Sequence, residues 1–168
     1  VMQNIGPAVF YVDRNQSDPI PFTWKLGLAY EMATPSHRLI VAADANREAT
    51  FYEEGRRGAT PVYIGAWKDI IYPFGADLPE QRNHTNIEVL MKNISKTVFN
   101  AGLEYTYANV VSFRMGVLQD DAGQRTEMDF GLGFQLSDIL VIDATYIKDL
   151  LGTGIRDGQK RFGLVFKF

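Results

Sequence analysis

The chain has 168 residues, a formal net charge of −3 and a pI near 5.4, so it lacks the cationic excess with which a protein holds nucleic acid. It has no cysteine, which excludes disulfides and thiolate metal centres, and its two histidines, His37 and His84, read as isolated loop residues and not as a metal pair. The length suits one domain.

There is no apolar run of about eighteen residues to make a membrane helix, but a mean hydropathy of −0.13 does not exclude a membrane barrel. Barrel strands of about nine to eleven residues turn only half of their side chains to lipid.

The opening stretch VMQNIGPAVFYVD carries no start methionine and no signal peptide, the pattern expected of a processed chain or of a piece of a larger one. Ile5, Pro7, Val9 and Tyr11 alternate with Gly6, Ala8 and Phe10, which predicts a first strand ending near Asp13. RNQSDPIP then reads as a turn-rich loop. In PFTWKLGLAYEM, Phe22, Trp24, Leu26, Leu28, Tyr30 and Met32 oppose Thr23, Lys25, Gly27, Ala29 and Glu31, a clear period of two. RLIVAADANR predicts a third strand, with Leu39, Val41, Ala43 and Ala45 opposite Ile40, Ala42, Asp44 and Asn46.

Between Glu48 and Ser95 the alternation lapses into a long segment rich in Gly, Pro and charge. Thr85 followed by Glu88 is a capping box, and Ile87, Leu90, Met91 and Ile94 recur on one face, so a helix is expected from Asn86 to Ile94. Its apolar stripe is expected to cover a barrel rim or lumen, or to pack on neighbouring loop residues. Tyr63, Trp67, Tyr72 and Phe74, with Leu90 and Met91, form a candidate partner-binding loop.

From Lys96 onward five strands follow one another closely. Phe99, Ala101, Leu103, Tyr105 and Tyr107 oppose Asn100, Gly102, Glu104 and Thr106. Met128, Phe130, Leu132, Phe134 and Leu136 oppose Glu127, Asp129, Gly131, Gly133 and Gln135. Phe162, Leu164, Phe166 and Phe168 alternate with Arg161, Gly163, Val165 and Lys167.

A soluble barrel or sandwich would hide such an apolar face, whereas a membrane barrel shows it to lipid. Here the polar face mixes Gly, Asn and Thr with charges of both signs, which suits an ion-paired lumen. The expected lumen-facing charges are Lys25, Glu31, Asp44, Glu104, Arg114, Glu127, Asp129 and Asp143, with Arg38, Lys148, Arg161 and Lys167 as further cations for pairing. The expected lipid-facing or girdle residues are Phe22, Trp24, Tyr30, Tyr105, Phe113, Phe130, Phe134, Phe162, Phe166 and Phe168.

Long connections after the odd-numbered strands alternate with short ones after the even-numbered strands. That is the plan of an outer-membrane barrel with long outer loops, tight periplasmic turns and both chain ends periplasmic. The close acid pairs Asp120/Asp121, Glu127/Asp129 and Glu53/Glu54 have no catalytic partner in sequence, so ion pairing is expected there; no enzyme, metal or cofactor site is expected.

NIGPAVFYVD with PFTWKLGLAYEM, and FNAGLEYTYANVVSFRMGVLQDD with FGLGFQLSDILVIDATYI, resemble the PorV/PorQ family of outer-membrane barrels, relatives of FadL-type transporters. The shared words include Asn4-Ile5-Gly6-Pro7, Lys25-Leu26-Gly27, Gly102-Leu103-Glu104-Tyr105 and Arg114-Met115-Gly116, and the resemblance covers most of the chain except the long loop. It implies a barrel of about fourteen strands, of which this all-β chain, residues 1–168 with its extracellular loop 48–95, would be the carboxyl-terminal eight. It also implies a role in type IX protein secretion, with outer-membrane lipid, secreted cargo signal domains and a large translocon barrel as partners. The FadL kinship implies the alternative, transport of hydrophobic small molecules.

Overall fold

A computed structural model of the chain describes residues 1–3, 9–10, 17–18, 22–49, 69–71, 73, 84–136, 139–151 and 157–166. The strands are β1 (Met2–Gln3), β2 (Val9–Phe10), β3 (Ser17–Asp18), β4 (Phe22–Ala33), β5 (His37–Ala49), β6 (Val98–Tyr107), β7 (Val111–Asp120), β8 (Arg125–Gln135), β9 (Leu140–Asp149) and β10 (Gln159–Phe166). Among the described residues a helix, α1 (Asn86–Ser95), interrupts them, and residues 69–71 are also helical. An eight-stranded sheet has the order β1-β4-β5-β6-β7-β8-β9-β10, and β2 pairs with β3 in a small sheet of its own. Each pairing whose register is defined is antiparallel. The large sheet is open, with β1 and β10 at its two ends.

The all-β antiparallel class is as expected; closure into a barrel is not seen. The first strand also differs. Met2–Gln3 pairs with Thr23–Trp24, whereas Val9–Phe10 turns back on Ser17–Asp18, so RNQSDPIP contributes strand residues. From β4 onward the expected strands are all present.

The chain divides into two compact units, residues 1–26 with 46–97, and residues 27–45 with 98–168. In the second unit the ladder is long and regular. β6 to β10 pair through nine, ten, nine and eight residue pairs in succession. A tight turn joins β6 to β7: Ala108 and Asn109 have φ of 51° and 56°, and the Val110 N–H donates to the Tyr107 carbonyl at 2.9 Å. Two consecutive left-handed residues match the right-handed twist of paired strands, and Asn tolerates that backbone better than most residues.

The registers place Asn100, Glu104, Arg114, Glu127, Asp129, Asp143, Asp149 and Arg161 on one face. Phe99, Leu103, Phe113, Met115, Phe130, Leu132, Phe134, Ile142, Tyr146, Phe162 and Leu164 lie on the other.

Exposure follows the two faces in the opposite sense to a soluble core. Along β7, Phe113, Met115 and Val117 are exposed while Arg114, Gly116 and Leu118 are half-buried. Along β8, Phe130, Leu132 and Phe134 are exposed while Gly131 and Gly133 are buried. Among the described residues the buried apolar side chains are Ala49 and Ile147, and the buried polar ones are Arg47, Asp69, Thr97, Glu127 and Asp149.

Candidate functional site

The polar face of the second unit is built around Arg114. It stands opposite Glu104 in the β6/β7 register and opposite Gly131 in β7/β8. Its Nε donates to Glu104 Oε2 at 2.6 Å, and its Nη1 donates to Asp143 Oδ1 at 2.5 Å. The reach to β9 passes over β8, and two glycines make room for it. A Cβ on Gly131 would stand 3.2 Å from the Arg114 Cβ, and one on Gly133 would stand 2.8 Å from the bonded Asp143 oxygen and 3.3 Å from Nη1. The pattern Asp129-Phe-Gly-Leu-Gly-Phe134 therefore has a double purpose: apolar residues outward, and empty positions inward for a guanidinium bridge.

Further polar pairs continue across this face. Arg38 Nε donates to Glu31 at 2.7 Å, and Arg38 Nη1 lies 3.9 Å from Glu104. Asn100 donates to Asp44 at 2.8 Å. Asp44 itself lies against Gly27, where a Cβ would meet the Asp44 Cβ at 3.0 Å. Asp129 covers Gly116, whose missing side chain leaves space for the carboxylate. At the loop end, Glu127 stands opposite Asp149, with Arg125 Nε 3.7 Å from Glu127 and Arg125 Nη2 3.7 Å from Asp120. A hollow of about 590 Å³ on this face is lined by Asp44, Glu104, Arg114, Glu127 and Asp129, with Ile40, Leu118 and Ile147 between them.

Of the expected lumen-facing residues in this unit, Asp44, Glu104, Arg114, Glu127, Asp129 and Asp143 do share one face, and Glu31 pairs with Arg38 on it. Lys148 does not join them. It stands opposite Met128, on the apolar face, and is held at 3.0 Å by Asp157 beyond the strand end. Its position follows from parity, since Asp143, Thr145, Ile147 and Asp149 hold the polar register. Asp157 also accepts the Asp149 N–H, and the Lys148 hydrogen bond chiefly holds its carboxyl below the ordinary range. Lys167 and Phe168 lie outside the described residues.

The expected girdle residues Tyr105, Phe113, Phe130, Phe134, Phe162 and Phe166 lie on the apolar face, as does Tyr30 by its alternation with Glu31. His37 is not a loop residue: it begins β5, its Nδ1 lies 2.7 Å from the Tyr105 hydroxyl, and its ring packs beside Tyr105 and Tyr107.

In the first unit Lys25, Phe22 and Trp24 lie on β4, where Lys25 is exposed and the two aromatics are half-buried. The unit's centre is one that sequence reasoning missed. Arg47, 3 % exposed, donates to Asp69 Oδ2 at 2.6 Å and to Asn93 Oδ1 at 2.5 Å. Lys96 reaches the other Asp69 oxygen at 2.7 Å, and Asn93 Nδ2 donates to the Ile70 carbonyl at 3.0 Å. Arg47 thereby ties β5, the 69–71 turn and α1 together. The signal available in sequence was a lone arginine in phase with Leu39, Val41, Ala43 and Ala45, where an apolar residue would continue the pattern.

The helix forms where expected, with Thr85 as N-cap and both halves of the capping box made: the Glu88 N–H donates to Thr85 Oγ1 at 3.3 Å, and the Thr85 N–H donates to Glu88 Oε2 at 2.7 Å. The second of these chiefly holds the Glu88 carboxyl below its ordinary value of 4.5. The expected burial of the helix stripe is not found. Ile87, Leu90, Met91 and Ile94 are all exposed among the described residues, and the helix is held through its polar Asn93. Of the candidate partner loop, Leu90 and Met91 are thus exposed, while Tyr63, Trp67, Tyr72 and Phe74 lie outside the described residues.

No protein-family model matches the chain, and the search of curated proteins finds no match.

Proposed function

We propose that the chain is part of a non-enzymatic outer-membrane β-barrel of the PorV type, acting in protein secretion as a cargo-binding shuttle or translocon-associated component. The observation that carries this reading is the reversed exposure of the two sheet faces. Phe113, Met115, Phe130, Leu132 and Phe134 stand outward in a row, while the face behind them is bridged by Arg114, Glu104 and Asp143. A contiguous apolar face of this extent marks a membrane or interaction surface, and alternation of apolar-out with polar-in is the strand signature of a lipid-embedded barrel. On this reading the sheet edges are paired in the complete barrel, because unpaired backbone groups are too costly in hydrocarbon.

Secretion is favoured over transport of hydrophobic small molecules by the chemistry of the polar face. Ile40, Leu118 and Ile147 enter the hollow there, but acids line it and the Arg114 bridge spans β6 to β9 across it. A continuous apolar track, which a FadL-type carrier needs, is interrupted. The exposed stripe of α1 and the connections 48–95 and 150–160 are the proposed partner contacts, on the outer side of a bacterial outer membrane, with the end of β10 periplasmic.

Deletion of the gene is expected to strand cargo in the periplasm, and detergent pull-downs are expected to recover cargo signal domains or a large translocon barrel. Normal secretion with lost uptake of a fatty or aromatic compound would establish the transporter instead.

A further inference from the structure

On the apolar face of the second unit, one hollow of about 560 Å³ is bounded by Phe113, Phe130, Leu132, Ala144, Tyr146 and Phe162, with Lys160 at one end. Its origin is in the register. Two transverse rows cross β7 to β10: Phe113, Leu132, Ala144 and Phe162, then Met115, Phe130, Tyr146 and Lys160. In the first row Ala144 alone stops at Cβ, so a gap opens there between Leu132 and Phe162. The gap's size lies within the range of about 300–1,000 Å³ typical of small-molecule pockets.

The rim carries charge at one end only. Lys148 and Lys160 are the two lysines on this face at the loop end of β9 and β10; Lys148 is neutralised by Asp157 at 3.0 Å, whereas Lys160 is exposed and makes no ion pair among the described residues. Lys160 is the second residue of β10, and Phe162 follows it roughly 7 Å further along the strand. An ammonium thus caps an apolar trough, with Tyr146 directly across from Lys160 in register. That is the layout of an amphiphile with an anionic head above a hydrocarbon chain, and a long lysine stem can lie on the apolar surface while its charge stays at the headgroup level.

We propose that this groove binds one phosphate-headed membrane lipid, its acyl chain over Ala144 between Leu132 and Phe162 and its phosphate on Lys160 and Tyr146. The inference rests on the membrane reading above and names an occupant for its lipid face.

The test is native mass spectrometry of the chain, reconstituted in vesicles of phosphatidylcholine with a minority of phosphatidylglycerol and then released in detergent. One retained phosphatidylglycerol per chain is expected, favoured about tenfold over phosphatidylcholine, as one charge-assisted contact allows. Lys160→Gln should abolish the preference while leaving a lipid bound, and Ala144→Phe or Ala144→Leu should remove the retained lipid, with the strand content unchanged by circular dichroism. Equal retention of both lipids by the unaltered chain, or retention undiminished in both Ala144 variants, overturns the proposal. Vesicle flotation separates the two possible failures: a chain that floats with vesicles but retains no lipid selectively sinks this inference alone, and one that stays monodisperse in buffer without lipid sinks the membrane reading with it.

Discussion

Arg114 and Arg47 are both strand arginines held by carboxylates, and their surroundings could hardly differ more. Arg114 has its partners on its own sheet, Glu104 in the neighbouring strand and Asp143 two strands away, and its side chain remains 40 % exposed. Arg47 has its partners on another segment altogether, Asp69 and Asn93, and is 3 % exposed beside an Asp69 that is 5 % exposed. Water still screens the first cluster, so making or losing it changes little free energy. The second has been stripped of water on all sides, and removing one partner would strand a charge in a place that cannot solvate it. One cluster decorates a sheet that its backbone ladder already defines; the other holds an irregular segment and a helix to the end of β5.

The largest expected effect follows. Arg47→Ala should destabilise the first unit by about 3–5 kcal/mol, the range for breaking one side of a buried ion pair. Chemical unfolding monitored by proteolysis within 84–97 would check it, and a loss under 1 kcal/mol would show that the cluster is wet after all. Arg47→Lys should recover part of the loss, because an ammonium can face Asp69 but cannot also fork to Asn93.

Next comes the apolar face. Leu132 is 42 % exposed in a row of exposed apolar residues, so in water Leu132→Arg should change stability by no more than about 0.5 kcal/mol. At mid-strand in a bilayer the same change should cost about 2–4 kcal/mol. Unfolding titrations of the chain in lipid vesicles distinguish the two numbers, and the value obtained says which solvent this face is built for.

The contrast between the two arginines also explains what could be read from sequence. Period-two patterning exposed β4 to β10 almost residue by residue, because each strand's face is written in its own ten or so residues. That Arg114, Glu104 and Asp143 share a face followed from parity alone, but which acids the arginine bonds did not. The same rule, applied without register, put Lys148 on the wrong face, although counting from Asp143 assigns it correctly. Arg47 stood out in sequence only as an arginine in an apolar phase; its partners come from a segment of lapsed periodicity, and no local pattern says which distant carboxylate an arginine will meet. The helix was legible from its cap and its stripe, but not the side by which it is held: the stripe suggested burial, whereas Asn93 makes the attachment and the stripe faces out. Open edges did not follow from alternation, which describes a strand's faces and not its lateral neighbours; they were expected only from the resemblance to a larger barrel, of which eight strands make an open sheet.

A smaller effect is expected on the polar face. Arg114→Ala removes two hydrogen bonds but leaves Glu104 and Asp143 accessible to water, at 27 % and 30 % exposure, so about 1 kcal/mol is the expected cost. A double-mutant cycle with Asp143→Asn would isolate the pair. A coupling as large as that of Arg47 with Asp69 would mean that the polar face is drier than its exposure indicates and that the two arginines do not differ in kind.

The most local effect concerns the start of α1, where the first unit meets solvent. Thr85→Ala deletes the hydroxyl that accepts the Glu88 N–H and should cost about 1 kcal/mol of helix stability, as the loss of an N-cap generally does. The partner half of the box is titratable. The Glu88 carboxyl is held below its ordinary value of 4.5, chiefly by the Thr85 N–H and then by the Thr85 hydroxyl. A carboxyl depressed by folding binds fewer protons in the folded chain than in the unfolded one, so its contribution is fully present above the unfolded value and fades as pH falls through the folded value. Hydrogen-exchange protection of the first turn, followed from about pH 6 to about pH 3, should therefore decline in the acid limb for the native chain. For Glu88→Gln it should be lower at the start and flatter throughout that window. Parallel curves would mean that the helix is held by Arg47 and Asn93 alone and that its cap adds nothing, which would make the buried cluster the sole determinant of this unit's order.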